Sequence, residues 1–182
     1  MQFITPQNKD GQKLIHDIVM HPLKVNKDES GILVETLRTD WQDVYGPGRE
    51  FAMQYFSVTP SGVIRDEKVW HYHPGGQEDR FLVAQGEIVV AVADGRKGSP
   101  TEGLLNLFYM HAADDPYLLV IPKQTLHGFM TVSKSDAVLL NFPTRLYDPN
   151  EEVRVPHEEA EIKNAEGRLF SWGQVKKVFS IK

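Results

Sequence analysis

Between Gly31 and Phe142 the chain is cut into short apolar stretches by clusters of Gly, Pro, Asp and Ser at close spacing. That rhythm suits strands and leaves almost no room for helices. "GILVETLRT", "EFAMQYFSV", "KVWHYH", "LLNLFYM", "PYLLVIP", "GFMTVS" and "AVLLNF" each read as one strand. "RFLVAQGEIVVAVADGR" reads as two, joined by a turn at Gln85–Gly86 and stopped by Asp94–Gly95. Strands in such succession predict an all-β sandwich or barrel rather than βαβ units. Nearer the start, "DGQKLIHDIVM" is read as a strand after Ile18. One late segment, Ser171 to Val178 in "FSWGQVKKVF", spaces its apolar residues as a short helix does. No repeat, low-complexity tract or linker interrupts the 182 residues, so a single domain over 1–182 is expected.

Composition narrows the function classes. A net charge of -5, with no Lys/Arg run, offers no basic face to nucleic acid. The longest apolar runs fall far short of a membrane span, and no charged-then-apolar leader opens the chain. A soluble cytoplasmic protein acting on a small molecule is the expectation. Cysteine is absent, which excludes disulfides and thiolate chemistry and leaves His, Asp and Glu to hold any metal.

The chemistry concentrates in "VWHYHPGGQEDRFLVAQGE", Val69 to Glu87. Residues two apart on a strand share a face, so His71 and His73 point one way and Trp70 and Tyr72 the other. His127, in "IPKQTLHGF", adds a third imidazole at a turn between strands. The acid after the glycine loop is either Glu78 or Asp79, and Asp79 has the better spacing to Gly86. This order resembles the metal-binding pattern of cupin barrels, with Gln124 where that pattern has Gly. His71, His73, Asp79 and His127 would suit a divalent Zn, Fe, Mn or Ni about equally. The competing reading is a polar barrel floor holding water. His16, His21, His111 and His157 lie in turns or at segment ends without a partner motif and are read as structural. Trp70, Tyr72, Phe51 and Phe129 are read as core or interface. Arg96 and Lys97 in "DGRKGSPTEG" are read as a turn, because the helix N-terminus of a phosphate cradle is missing.

Over residues 28–158 the chain resembles the dTDP-4-dehydrorhamnose 3,5-epimerase family, cupins of deoxysugar nucleotide biosynthesis. "DESGILVE", "FAMQYFS", "GVIRDEKVWH" and "IPKQTLHGFMTVS" each match a family motif, and "GEIVVAVADGRKGSPTEG" is the most specific of them. The resemblance implies a jelly-roll barrel, a double-stranded β-helix, with the short C-terminal helix appended. It implies no cofactor and a homodimer in which an N-terminal strand segment completes the partner's sheet. It also implies an epimerase or isomerase acting on a nucleotide-linked 4-keto-6-deoxyhexose, removing protons alpha to the ketone.

Carried over position by position, the family's base falls on His71, with Glu158 or Glu159 as its carboxylate. Such a pair fixes the imidazole tautomer and raises its basicity. Gln54 falls within the family's substrate-binding strand. Lys68 occupies the diphosphate position, and Arg65 flanks the same site. The family's lysine, placed to steady an enolate oxygen, is Asp79 here, and Arg80 beside it is taken as a further substrate-binding residue, although parity sets it on the opposite strand face unless the register slips. The family's tyrosine, the acid on the far side of the sugar, is Asn141, and its diphosphate arginine is Ser30. Three functional positions thus change while the base is kept and His73 is gained. Three outcomes stay open: a sugar-nucleotide epimerase, a metal-dependent cupin of other specificity, and a protein that binds without turning over.

Overall fold

Two antiparallel sheets face each other across the apolar side chains that the sequence sets at alternate strand positions. They are seen in a computed structural model that describes residues 1–181. In chain order the strands are β1 (Val19–Pro22), β2 (Val25–Asp28), β3 (Gly31–Val34), β4 (Tyr55–Thr59), β5 (Ile64–Arg65), β6 (Val69–Tyr72) and β7 (Asp79–Gln85). They continue as β8 (Glu87–Ala93), β9 (Leu105–His111), β10 (Tyr117–Ile121), β11 (Leu126–Thr131), β12 (Ala137–Asn141) and β13 (Val153–Pro156). The helices are α1 (His157–Ala160) and α2 (Trp172–Val178). One sheet runs β1-β10-β7-β12-β4 and the other β13-β6-β11-β8-β9, with β5 paired to β11. The β2–β3 hairpin is bonded to neither.

Between the sheets lie Phe81, Val83, Leu119, Ile121 and Leu139 from one side and Ile88, Val90, Val92, Phe108 and Met110 from the other. The outer faces are covered as well. Trp70, Val89, Ala91 and Met130 pack under Phe170, Trp172 and Val175, so α2 closes one sheet. Leu82, Leu118 and Val120 pack under Leu23 and Val44 on the other. A strand covered on both faces needs no polar alternation. This is why "EIVVAVA" is a continuous apolar run, buried at every position from Ile88 to Ala93. The helix starts where the sequence reading put it, with the Ser171 hydroxyl accepting the amide hydrogen of Gly173 as N-cap. Among the described residues, no helix is long and apolar enough to cross a membrane.

The turn at Gln85–Gly86 differs from a simple hairpin. β7 and β8 belong to different sheets, so the chain rounds a corner of the barrel there. Gly86 has φ +76, and an added Cβ would lie 2.9 Å from the Asp136 carbonyl oxygen. Backbone at Asp136 and Ala137 and the Ser133 hydroxyl together block that space, and the positive φ adds to it, which is why glycine fits this corner. The loop after β8 is held by Asp94. Its buried carboxylate accepts from the Arg96 guanidinium and from the Ser99 and Thr101 hydroxyls. Arg96 is therefore a structural partner, in keeping with the turn reading of "DGRKGSPTEG".

Candidate active site

Near one end of the barrel the inward positions switch from apolar to polar. On β7, Phe81 and Val83 give way to Asp79, and on β12 Leu139 gives way to Asn141. On the facing sheet His71 of β6 is paired directly with His127 of β11, and His73 follows just beyond the end of β6. Strand parity therefore delivers three imidazoles and a carboxylate to one spot. His71 Nε2 and His73 Nε2 are 3.1 Å apart, and Asp79 Oδ2 lies 3.4 Å from His73 Nε2 and 3.6 Å from His127 Nε2.

The opposite nitrogen of each ring faces an acceptor. His73 Nδ1 is 3.2 Å from the Glu151 carbonyl oxygen and His127 Nδ1 is 3.3 Å from that of Thr125. His71 Nδ1 is 3.6 Å from Asp66 Oδ2. Asp79 Oδ1 is bonded by the amides of Asn141 (2.7 Å) and Gln77 (2.8 Å), which leaves Oδ2 to the imidazoles. This donor set fits a divalent metal: His71, His73, His127 and Asp79 are the residues that would hold one, and it would act there as a Lewis acid.

Burial dominates the electrostatics of the cluster. It takes His127 down to about 4 against the pull of Asp79, so this ring is neutral at pH 7. His71 is also lowered, by burial first and then by His73. For His73 burial is again the largest influence, but the hydrogen bond and charge of Asp79 outweigh it and raise the ring. Burial alone would raise Asp79; its bond to His73, the positive influence of His127 and His73, and the Asn141 amide hold it at about 2.

An inner chamber of about 200 Å³ is lined by these histidines, Asp79, Asn141, Tyr55, Asp66 and Arg154. It shares Tyr55, His71, His73 and Glu152 with an outer cleft of about 960 Å³, which Met53 and the Thr144–Glu152 loop also line. Tyr55 enters from β4, directly across from Asn141 in the sheet register. Its hydroxyl oxygen accepts the Asn141 amide at 3.0 Å, and burial raises its pKa, so the phenol keeps its proton at neutral pH. Tyr55 thus stands on the sheet opposite the one that carries His71.

The remaining expected residues divide sharply. Glu158 and Glu159 are exposed on α1, and the carboxylates that face His71 are instead Asp66 and Glu152, the latter 3.6 Å from Nε2. Arg80 points away from the chamber, as strand parity requires. Its fully buried guanidinium bonds the carbonyls of Val44, Phe142 and Arg49 and the Glu78 carboxylate, a structural clamp rather than a substrate contact. Glu78, the other acid considered at this point, is committed to Arg49 and Arg80. Lys68 and Gln54 are exposed and outside both cavity linings. Arg65 does line the inner chamber, bonded to Thr59 Oγ1 and the Val58 carbonyl. Ser30 sits in the exposed β2–β3 turn, tied to Asp28. Phe51 is 44% exposed rather than core, while Trp70 and Phe129 are buried.

Six site residues escaped the sequence reading: Tyr55, Asp66, Gln77, Arg145, Glu152 and Arg154. For Glu152 a signal existed, since Val153 and Val155 alternate as a strand does, and β13 pairs with β6 to place Arg154 opposite His71.

The sequence profile of the dTDP-4-dehydrorhamnose 3,5-epimerase family matches residues 12–172. The probable low-salt glycan biosynthesis epimerase Agl13 of Haloferax volcanii is 40% identical over 147 residues, spanning 79% of this chain and 89% of that protein. The spore coat polysaccharide biosynthesis protein SpsL of Bacillus subtilis is 29% identical over 151 residues, spanning 82% and 94%. The crystal structure of a dTDP sugar isomerase from Desulfovibrio desulfuricans G20 superposes with a TM-score of 0.73 at 26% identity, covering 87% of this chain and 92% of that one. The epimerase RmlC of Legionella pneumophila, solved in complex with dTDP-4-keto-L-rhamnose, gives 0.67 at 27% identity, covering 77% and 73%. A profile match over nearly the whole chain, a relative at this identity and the shared jelly roll place the protein in the cupin-fold dTDP-4-dehydrorhamnose 3,5-epimerase family, and the chain belongs to it.

Proposed function

We propose that this protein is a sugar-nucleotide epimerase acting on a nucleotide-linked 4-keto-6-deoxyhexose, with His71 as the base. The observation that carries the reading is His71 itself, set between the Asp66 carboxylate and an open chamber, with a protonated Tyr55 on the opposing sheet. A proton on the carbon beside the C4 ketone is acidic because its loss gives an enolate. Neutral His71 Nε2 takes that proton, and Asp66 near Nδ1 steadies the imidazolium that forms. Tyr55 returns a proton from the other wall, which inverts the centre. Asn141 then acts as a positioning residue. Its amide bridges Tyr55 and Asp79 and its oxygen accepts the Arg80 backbone N–H, so its polar groups are already engaged.

Asp79 removes the lysine that the family places at the enolate oxygen, and a carboxylate there would repel that charge. Arg65, Arg145 and Arg154 are the cations along the two cavities, and they serve the oxyanion and the diphosphate in this reading. An outer cleft of about 960 Å³ has the volume for a nucleotide. The reading includes a cytoplasmic homodimer. The edge strand β4 exposes Phe56 and Val58, and the hairpin that pairs with neither sheet exposes Ile32 and Leu33; these apolar surfaces support a subunit contact.

The test is incubation with a dTDP-4-keto-6-deoxyglucose in deuterium oxide, followed by mass spectrometry and NMR of the sugar. Deuterium at C3, C5 or both with an inverted centre is expected. Intact, unlabelled substrate after prolonged incubation with saturating protein would remove the epimerase reading.

A further inference from the structure

We infer that this chain binds one divalent transition-metal ion inside the barrel, with the Nε2 atoms of His71, His73 and His127 and the Oδ2 atom of Asp79 as its donors. The inference goes beyond the epimerase reading and does not depend on it. Donor atoms about 2.0–2.1 Å from a central ion lie about 2.9–3.4 Å from one another in octahedral or tetrahedral arrangements. Here the neighbouring donors are 3.1, 3.4 and 3.6 Å apart, and the three imidazoles offer ligand atoms all within 4.8 Å of one another. Small side-chain rotations close the set.

The tautomers agree with the distances. Each ring turns Nδ1 outward to an acceptor (the Glu151 carbonyl, the Thr125 carbonyl or the Asp66 carboxylate) and so turns Nε2 inward. That outward hydrogen bond is the device by which proteins fix a ligating histidine. Asp79 is arranged the same way, with Oδ1 held by Asn141 and Gln77 and Oδ2 left to the cluster. Moreover, the two Nε2 atoms of His71 and His73 meet at 3.1 Å, a distance at which at most one of them carries a proton, and a shared cation can stand in that proton's place. Gln77 also lies 3.1 Å from His73 Nε2; it yields that contact to the ion and keeps Asp79.

Three nitrogens and one oxygen select zinc, iron, nickel or cobalt over calcium and magnesium, which take oxygen donors. The donors come from opposing sheets, so the site is preorganised by the fold. His71 Nε2 cannot both coordinate an ion and accept a substrate proton. The metal-filled and proton-abstracting states are therefore alternatives of one site.

The experiment strips the full-length protein with a chelator, removes the chelator, and titrates Co(II) by visible absorption and Zn(II) by calorimetry. Saturable visible bands and one ion per chain are expected. His73→Gln should weaken both by at least the roughly 10–100-fold that losing a mere orienting partner costs, while His111→Ala should bind as the parent does. His73 lies past the end of β6, so its replacement leaves the sheet intact, and a thermal melt checks that each variant is folded. Absence of a saturable spectrum in millimolar Co(II), or His73→Gln binding as tightly as the parent, would overturn the inference.

Discussion

At the scale of single residues, the site is read from which nitrogen or oxygen of each side chain is already engaged. Asn141 has its amide and its oxygen bonded, and so serves as a support for Tyr55 and Asp79. Tyr55 still has a proton to give. Tyr55→Phe is thus expected to split two events that the wild type couples. Solvent deuterium should still enter the substrate, because His71 can remove and return a proton on its own face. The inverted product should fall by about 10²- to 10⁴-fold, the usual contribution of one acid or base. Chiral analysis of the labelled sugar reads both. Equal loss of exchange and inversion would assign Tyr55 to binding instead. The sequence made His71, His73, Asp79 and His127 legible, because strand parity and spacing need no tertiary information. It counted Arg80 among the substrate contacts despite its parity, and the buried guanidinium is instead bonded to the Val44 and Phe142 carbonyls and the Glu78 carboxylate. It hid Tyr55 and Asp66, since which residue stands across from Asn141 depends on strand pairing, and which acid reaches His71 depends on the turn between β5 and β6.

At the scale of elements, the strands of the barrel were foreseeable because each carries its own apolar pattern and turn. β13 was passed over because the acidic composition of "PNEEVRVPHEEAE" reads as a solvated loop and outweighed the short Val153–Val155 alternation; in the structure it pairs with β6. The loop closed by Asp94 carries its own prediction. Burial would raise this carboxyl, but bonds from Arg96, Ser99 and Thr101 hold it well below the usual carboxylate range. A carboxylate depressed in the folded state adds stability that is present above about pH 4 and is lost as pH falls through the folded value. Asp94→Asn should therefore lower stability at pH 7 by about 1–3 kcal/mol, the cost of unpairing a buried polar network. It should also flatten the acid decline that the wild type shows below about pH 4. Urea titrations of both proteins across that range check the sign. A mutant as acid-sensitive as the parent would show that other carboxylates carry the effect.

At the scale of the whole molecule, the surface asks for a partner. Phe56 is 65% exposed on the edge strand and Leu33 is 63% exposed on the hairpin, both large apolar residues. A homodimer that covers them is the expected solution state, and Phe56→Asp combined with Leu33→Asp should shift it to monomer. Light scattering coupled to size exclusion reads the mass directly, and a monomeric parent or a dimeric double mutant would contradict the contact. The composition of the chain gave little hint of this surface. β-strand sequences with apolar residues at both parities are needed for buried strands such as β8, and "YFSVT" is not separable from them until the sheet order leaves β4 at an edge.

In the proposed reaction His71 is the residue that takes the proton. The most direct test of this is deuterium incorporation at C3 and C5 of the 4-keto sugar by His71→Asn, alongside nucleotide-sugar binding by the same variant. Exchange should fall by about 10²- to 10⁴-fold with affinity nearly unchanged. Exchange at the wild-type rate in His71→Asn would contradict it.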